Sequence, residues 1–396
     1  MHVLDDILIV DLSQALAGPY CTMLLGDMGA DVIKIEPPGS GDQSRGWGPP
    51  FVEGESTYFL AVNRNKKSLT LNLKSELGQE IMHRLIARAD VCIHNMPRQS
   101  SQRKTGIDAE TLLEINPRLI YVSITGYGTS GPYAERPGYD LIAQGESGLM
   151  SITGEPEGEP MRYPIPLADM TTGIYAALGI LGALLVRHRT DRGQVLDLSL
   201  LESQSAWLGI LASAYLNAGE EPQRLGNIHP NIVPYQVFRA RDKYIIVAVG
   251  TQRLWGRFCE ALGISDTAMN DPRFATNADR LANREELVNM LQAILGQREA
   301  DYWLEALREA QIPSGPINSV PETLTHAQIL ERGFVVELEH PLAGLVESLG
   351  NPVHFSDTPV RYRLPPPTLG EHNAAILDEL GFRPGEVSQF EAQGII

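Results

Sequence analysis

ILIVDLSQALAGPYCTMLLGDMGADVIKIE, Ile7 to Glu36, reads as two buried strands joined by a helix. ILIVDL is an apolar run fit for a strand covered on both faces, and DVIKIE (Asp31–Glu36) is a second. Between them SQALAGP forms a loop and YCTMLLGDMGA a helix. The alternation continues outward. SLTLNLK (Ser68–Lys74) alternates like a strand. SELGQEIMHRLIARA follows, with Ile81, Met82, Leu85 and Ile86 on one helical face and Ser75 placed to cap it. DVCIHN (Asp90–Asn95), a short helix around Thr111–Ile115, LIYVSIT (Leu119–Thr125) and QVLDLSL (Gln194–Leu200) extend the series. Strands alternating with amphipathic helices predict an α/β fold built on a Rossmann-like, doubly wound parallel sheet.

MRYPIPLADMTTGIYAALGILGALLVRHRT, Met161 to Thr190, predicts one long helix with Asp169 at its mouth. Asp is a favoured N-cap because its carboxylate accepts from the free N–H groups of the first turn, so the plain reading of Asp169 is a cap. Ile174 to Val186 carries no charge but is shorter than the ~20 residues of a membrane span. Arg187, His188 and Arg189 close it, and Gly173, Gly179, Gly182 and Ala183 suit a buried helix that lets backbone approach. LESQSAWLGILASAYLNAG predicts a further helix ended by Gly219, and Glu220–Pro234 reads as a linker. YQVFRARDKYIIVAVG is a hairpin that opens a smaller domain, with helices near Gln252–Leu262, Ala278–Leu295 and Ala300–Ala310. From about Pro321 the chain returns to loops and strands and ends in a helix near Asn373–Leu380.

The composition excludes some functions. With 396 residues, 43% hydrophobic and 20% charged, the chain is globular and large enough for two or three domains. A net charge of −17 argues against nucleic acid and against an anionic membrane surface, both of which want a basic face. Cys21, Cys92 and Cys259 form no CxxC, which fits a reducing compartment and no cysteine-based zinc site. The nine histidines have no metal-binding spacing, so no metal is expected. The N-terminus has no basic-then-apolar leader, and the expected location is cytoplasmic.

TGYGTSGP contains G-x-G-x-x-G at Gly126, Gly128 and Gly131, yet Pro132 follows where a dinucleotide fingerprint would open into a helix. The first strand–helix turn, SQALAGP, also lacks that fingerprint. Arg64, Lys66 and Lys67 in VNRNKKS, and Arg103 and Lys104 in QRK, are two basic spots near strand ends. Each reads either as a solvated turn or as part of a phosphate-binding crevice. Gly39–Gly54 reads as an ordered surface loop, and no GxSxG nucleophile elbow is present.

SQALAGPYCTMLLGDMGADVIKIE, VNRNKKSLTLNLK, SITGYGTSGP, PGYD and LADMTTG, in this order, resemble the family III CoA-transferases. The resemblance extends from about residue 4 to the C-terminus. WGPPFVEGESTYFLAVNRNKKS and GNIHPNIVPYQVF look most like the succinyl-CoA-dependent dicarboxylate transferases within that family. The resemblance implies that Asp169 is the catalytic aspartate. It also implies a large domain built from both chain ends (1–200 and 321–396), a helix and linker at 201–233, a small domain at 234–320, and an interlocked homodimer. CoA contacts would fall at Leu16, Ala17, Leu71, Asn72, Leu73, Lys74, Asn95, Met96, Pro97, Arg103, Arg136 and Tyr139. Coenzyme A would enter as a thioester substrate, with no permanently bound cofactor. Three departures stand out. Pro37 replaces an Arg found in several members. NMPRQ replaces the usual N-F-R-P-G, so Arg103 and Lys104 compete for one role. No glycine run precedes Thr251, which weakens an assignment to formyl-CoA and oxalate.

The resemblance implies carboxylate-to-carboxylate exchange by covalent catalysis at Asp169, helped by helix N–H groups that hold the carboxylate ionised. An α-methylacyl-CoA racemase would share fold and aspartate but needs a second acid–base group on the opposite face. Its pattern has His where this chain has Tyr139, and a neutral phenol is a poor base at pH 7. A non-catalytic CoA-binding protein is the third reading. Arg162, Arg224 and His229 are the candidates to meet an acceptor carboxylate.

Overall fold

The computed structural model describes residues 2–396. Six parallel strands form its main sheet: β1 (Leu8–Asp11), β2 (Asp31–Glu36), β3 (Lys66–Thr70), β4 (Val91–His94), β5 (Ile120–Thr125) and β6 (Gln194–Ser199). Their spatial order is β3-β2-β1-β4-β5-β6. The winding direction reverses between β1 and β4, so the ligand crevice of a doubly wound sheet belongs beyond the carboxyl ends of those two strands. β3 begins two residues before the expected strand and stops at Thr70. Beyond it Asn72 donates to the Ile395 carbonyl at 2.7 Å, which diverts the chain to the C-terminal tail.

Period-two alternation sends the strand side chains to two cores. On one face Val10, Ile33, Leu69, Cys92 and Tyr121 meet Ile81, Met82, Leu85 and Ile86. Those four lie on α2 (Glu76–Ile86), whose cap Ser75 accepts from Gly78 N–H at 3.0 Å, as the sequence predicts. The other face buries Ile9, Val32, Val91, Ile93, Ile120 and Val122 against two further helices, α1 (Ala17–Asp27) and α5 (Leu167–Thr190). Between α2 and α5 lie α3 (Ala109–Ile115) and α4 (Asp140–Glu146), and α6 (Leu200–Ser205) follows β6.

α5 corrects two expectations. It has 24 residues, long and apolar enough by length and composition to cross a membrane, so shortness does not exclude a span. What marks it as a packing helix is its inner face, where Gly173, Ala176, Ala177, Ile180 and Ala183 lie against α1 and the sheet. It is also only half a core helix, because Ile174, Leu178 and Leu185 remain exposed on its outer side. The helix expected after β6 is interrupted as well. Gly209, at φ +45°, separates α6 and a short turn from the helix Gly209–Ala218, which Gly219 ends at φ +69°.

The chain divides into two compact units. The first comprises the chain up to Met150, Arg162–Glu220 and Gln328–Ile396. It includes the antiparallel hairpin Val335–His340/Gly344–Leu349 and two C-terminal helices. Of these, Asn373–Glu379 was expected and Pro384–Ala392 was not. The second unit comprises Ser151–Met161 and Glu221–Ala327. Its hairpin Tyr235–Arg239/Tyr244–Ala248 adds a third strand, Ser314–Pro316, over a core of Phe238, Trp255, Phe258, Leu287, Leu291 and Trp303. The stretch read as a linker is anchored within this unit. Arg284 donates to the His229 and Pro230 carbonyls at 2.9 and 2.8 Å, and Arg280 to that of Val233 at 2.8 Å.

Candidate functional site

The backbones of α1 and α5 nearly touch at Gly173. A Cβ there would stand 2.7 Å from the Ala17 carbonyl oxygen. Gly173 lies one turn after Asp169 on the same helix face, so this contact brings the SQALAGP loop beside Asp169. A second close approach joins Gly126, at the end of β5, to Gly138, where a Cβ on Gly126 would lie 2.6 Å from the Gly138 Cα. The G-x-G pattern is thus a backbone crossing that places Tyr139 and Asp140, not a nucleotide fingerprint. At the end of β4, Asn95 and Gln14 exchange hydrogen bonds. Gln14 N–H donates to Asn95 Oδ1 at 3.1 Å, and Asn95 Nδ2 donates to the Gln14 carbonyl at 2.8 Å.

These segments enclose a cavity of about 360 Å³. Leu16, Ala17, Asn95, Met96, Pro97 and Tyr139 line it together with Asp169, Asp140, Gln14, Gln43, Trp47 and Leu200. A second cavity, about 440 Å³, is lined by Leu71, Asn72, Leu73 and Lys74 with Glu36, Pro37, Thr105 and Gly394. Both share Leu12, Gln14 and Met96, at the reversal point of the sheet. His94 shapes the Met96 turn, its Nδ1 accepting from Met96 N–H at 3.1 Å. Burial pushes that imidazole down to about 4, so it is neutral at physiological pH.

Asp169 is not the cap of its helix. The N-cap position is Pro166, and Asp169 stands in the first turn. The capping acceptor is Asp140, whose Oδ1 accepts from Ala168 N–H at 2.7 Å and Asp169 N–H at 3.3 Å. Among the described residues the Asp169 carboxyl makes no hydrogen bond or ion pair. Burial, and then the charge of Asp140, push it up from 3.8 to about 7. The expected stabilisation by helix N–H groups is therefore absent, because Asp140 already occupies the two at that turn.

Other expected residues lie elsewhere. Arg103 is exposed at the end of a short helix and lines neither cavity, and the same holds for Lys104. Arg136 pairs with Glu146 at 2.9 Å and rests near the rings of Tyr127 and Tyr133. The VNRNKKS cations all stand in ion pairs, Arg64 and Lys66 buried and Lys67 partly exposed. Arg64 pairs with Asp27 at 2.7 Å, Lys66 with Asp11 at 3.2 Å and Lys67 with Asp31 at 2.9 Å. Arg224 donates to the carbonyls of Ser151, Glu155 and Gly158, and His229 Nδ1 accepts from Asn231 N–H. Arg162 is exposed and makes no ion pair among the described residues. Sequence reasoning gave no role to Gln14, Gln43, Trp47 or the cap Asp140. Asp140 had a signal in its place directly after the Gly138–Tyr139 pair, and Gln14 and Trp47 lie in the quoted SQALAGP and WGPPFVEG stretches.

Comparison with known proteins sets the class. CoA-transferase family III matches residues 4–373, and the chain belongs to that family. It is a CoA-transferase acting on small carboxylates, and coenzyme A is its thioester substrate rather than a resident cofactor. A succinyl-CoA:glutarate CoA-transferase of Mus musculus is 42% identical over 398 residues, covering 100% of this chain and 91% of that protein. A succinate–glutarate CoA-transferase of Agrobacterium fabrum is 44% identical over 383 residues, covering 95% of each. Among solved structures, a CAIB/BAIF family protein from Brucella suis aligns with a TM-score of 0.88 at 43% identity, covering 96% of this chain and 99% of that one.

Proposed function

We propose that this enzyme exchanges coenzyme A between small dicarboxylic acids, with succinyl-CoA as donor, through covalent intermediates on Asp169. The observation that carries the reading is the unpartnered Asp169 carboxyl, pushed up to about 7 and opening onto the cavity at the sheet's reversal point. A carboxylate is a weak nucleophile toward a thioester, and a more basic one is a better one. Near neutral pH part of this group is ionised and available to attack.

In the first step the Asp169 carboxylate attacks the thioester carbonyl, CoA thiolate leaves, and a mixed anhydride forms. The thiolate then attacks the aspartyl carbonyl, which releases the donor carboxylate and leaves an enzyme–CoA thioester. The acceptor carboxylate attacks that thioester and expels the thiolate, which takes the acyl group from the second anhydride and frees Asp169. The bonds broken and formed are of equal type, so the exchange needs neither ATP nor metal. Names of the mouse and Agrobacterium relatives support a dicarboxylate acceptor. Intact-mass analysis after mixing with succinyl-CoA tests the mechanism. A CoA-sized adduct is expected on the wild type and not on Asp169→Ala. Turnover by an enzyme that forms no adduct, and that survives in Asp169→Ala, would sink it. Rapid exchange of substrate α-deuterium would favour a racemase instead.

The outer face of α5 and the later helix Gly209–Ala218 support a homodimer. Leu178 and Leu185 on the first, and Ile210 and Leu216 on the second, are 64%, 66%, 82% and 78% exposed in one chain, and large exposed apolar side chains suit a partner surface. Sedimentation of Leu178→Asp should show a shift from dimer to monomer, and a wild type that sediments as a monomer would refute the assembly.

A further inference from the structure

Two buried ion pairs beneath the Asp169 cavity remain without a role in the exchange chemistry. Lys34 and Glu36 stand two apart on β2 and point to the same face. The chain leaves β2, turns back, and meets both. Lys34 Nζ lies 2.7 Å from Asp42 Oδ2, with both side chains fully buried. Glu36 takes a two-pronged contact from Arg45, Nε to Oε2 at 2.7 Å and Nη2 to Oε1 at 2.8 Å. The Arg45 guanidinium also lies 3.7 Å from the centre of the Phe59 ring and donates to the Pro367 carbonyl.

Both anchors belong to one helical turn, Gln43–Gly46: Asp42 caps it, accepting from Ser44 N–H at 2.8 Å, and Arg45 lies within it. Gln43 and the following Trp47 line the Asp169 cavity. The Asp42 carboxylate also accepts from Ala15 N–H at 3.1 and 3.2 Å, while Lys34 Nζ donates to the Ser13 carbonyl at 2.8 Å. Ala15 is held at φ +69°, an unfavourable conformation for a residue with a Cβ, next to Leu16 and Ala17 of the same cavity. One carboxylate thus ties together two walls.

We propose that Lys34, Glu36, Asp42 and Arg45 are positioning residues that hold the Gln43–Trp47 wall and the Ala15–Ala17 wall in fixed register, and that this register determines which carboxylic acids the enzyme accepts. A buried ion pair seldom adds stability over well-packed apolar residues, so what this one secures is geometry. Asp42 remains charged across the working range. Burial opposes its ionisation, but Lys34 and the Ser44 and Ala15 N–H groups outweigh that and hold it down to about 2.

The inference rests on the proposed exchange at Asp169. The test measures kcat/KM with succinyl-CoA for linear dicarboxylates of four to eight carbons. It compares the wild type, the charge-neutral double variant Lys34→Met/Asp42→Asn, and Arg45→Lys. Partial unfolding lowers every kcat/KM by one factor and leaves their ratios unchanged, whereas a loosened wall changes the ratios. The expected result is at least a tenfold fall in the ratio of best to worst acceptor for the double variant, and a smaller fall for Arg45→Lys. If the double variant fails to fold, Arg45→Lys, which keeps a cation on Glu36, carries the same test. An active wild type whose acceptor ratios the folded variants preserve within twofold overturns this inference alone. A wild type inactive on every acceptor sinks the exchange reading and this inference with it.

Discussion

Asp169→Asn should make the protein more stable while it abolishes covalent exchange. The carboxyl is raised from 3.8 to about 7 by burial and by Asp140. Between about pH 4 and 7 the folded state therefore keeps a proton that the unfolded state has lost, so stability falls as pH rises through that window. A difference of about 3 in pKa corresponds to at most about 4 kcal/mol at pH 8. Water in the open cavity screens part of this, and about 2 kcal/mol is a reasonable expectation. At pH 5.5 less of the window has been crossed, and the penalty is about half as large. An isosteric amide has no charge to bury. With an unfolding entropy of roughly 0.8 kcal/mol/K for a chain of this length, Asp169→Asn should raise Tm by about 2–3 °C at pH 8 and by about half that at pH 5.5. Differential scanning fluorimetry at the two pH values decides it. An absent gain at pH 8, or a gain as large at pH 5.5, would show that the carboxyl is not destabilised by its surroundings.

Three further outcomes follow from contacts already described. The wild-type kcat/KM for the thioester should rise with pH through about 7, and Asp140→Asn, which keeps the cap acceptor but removes its charge, should move that limb to lower pH; an unmoved limb would remove Asp140 from the electrostatics of the site. Gly173→Ala places a methyl 2.7 Å from the Ala17 carbonyl, so it should cost about 1–3 kcal/mol in urea denaturation and lower kcat with it, whereas neutrality would mean that α1 and α5 separate easily. Arg224→Met should destabilise the second unit by roughly 1–2 kcal/mol and expose residues 153–161 to limited proteolysis, with acceptor KM unchanged within about threefold. A tenfold rise in acceptor KM without added proteolysis would return Arg224 to the acceptor pocket.

The sheet was legible because its signal is local. DVIKIE matches β2 residue for residue, and the alternation of strand and helix led to the parallel order. What failed was whatever depends on a distant partner. The basic run VNRNKKS read as a solvated turn or a phosphate-binding crevice because Asp11, Asp27 and Asp31 lie far away in sequence, although each forms an ion pair with it in space. Glu220–Pro234 looked loose because the arginines that grip its carbonyls are on later helices. Pro384–Ala392 was missed because only Val387 and Phe390 face the core, too few apolar positions to mark a period.

The reading of Asp169 shows the same blindness with a chemical consequence. A carboxylate in the first turn of a helix is ordinarily held low in pKa by the free N–H groups there, and such a group would be a poor nucleophile. Asp140, 29 residues earlier, takes those N–H groups instead. It satisfies the helix and adds a like charge beside Asp169, and both effects favour a basic, unpartnered carboxyl. Two neighbouring carboxyls are thereby driven to different tasks, one bound into the fold and the other left free to react. Capping, which the sequence placed on Asp169, falls on Asp140, and the exchange proposed above is left to Asp169. Loss of the Asp140 charge should therefore change how readily Asp169 ionises without changing where it stands.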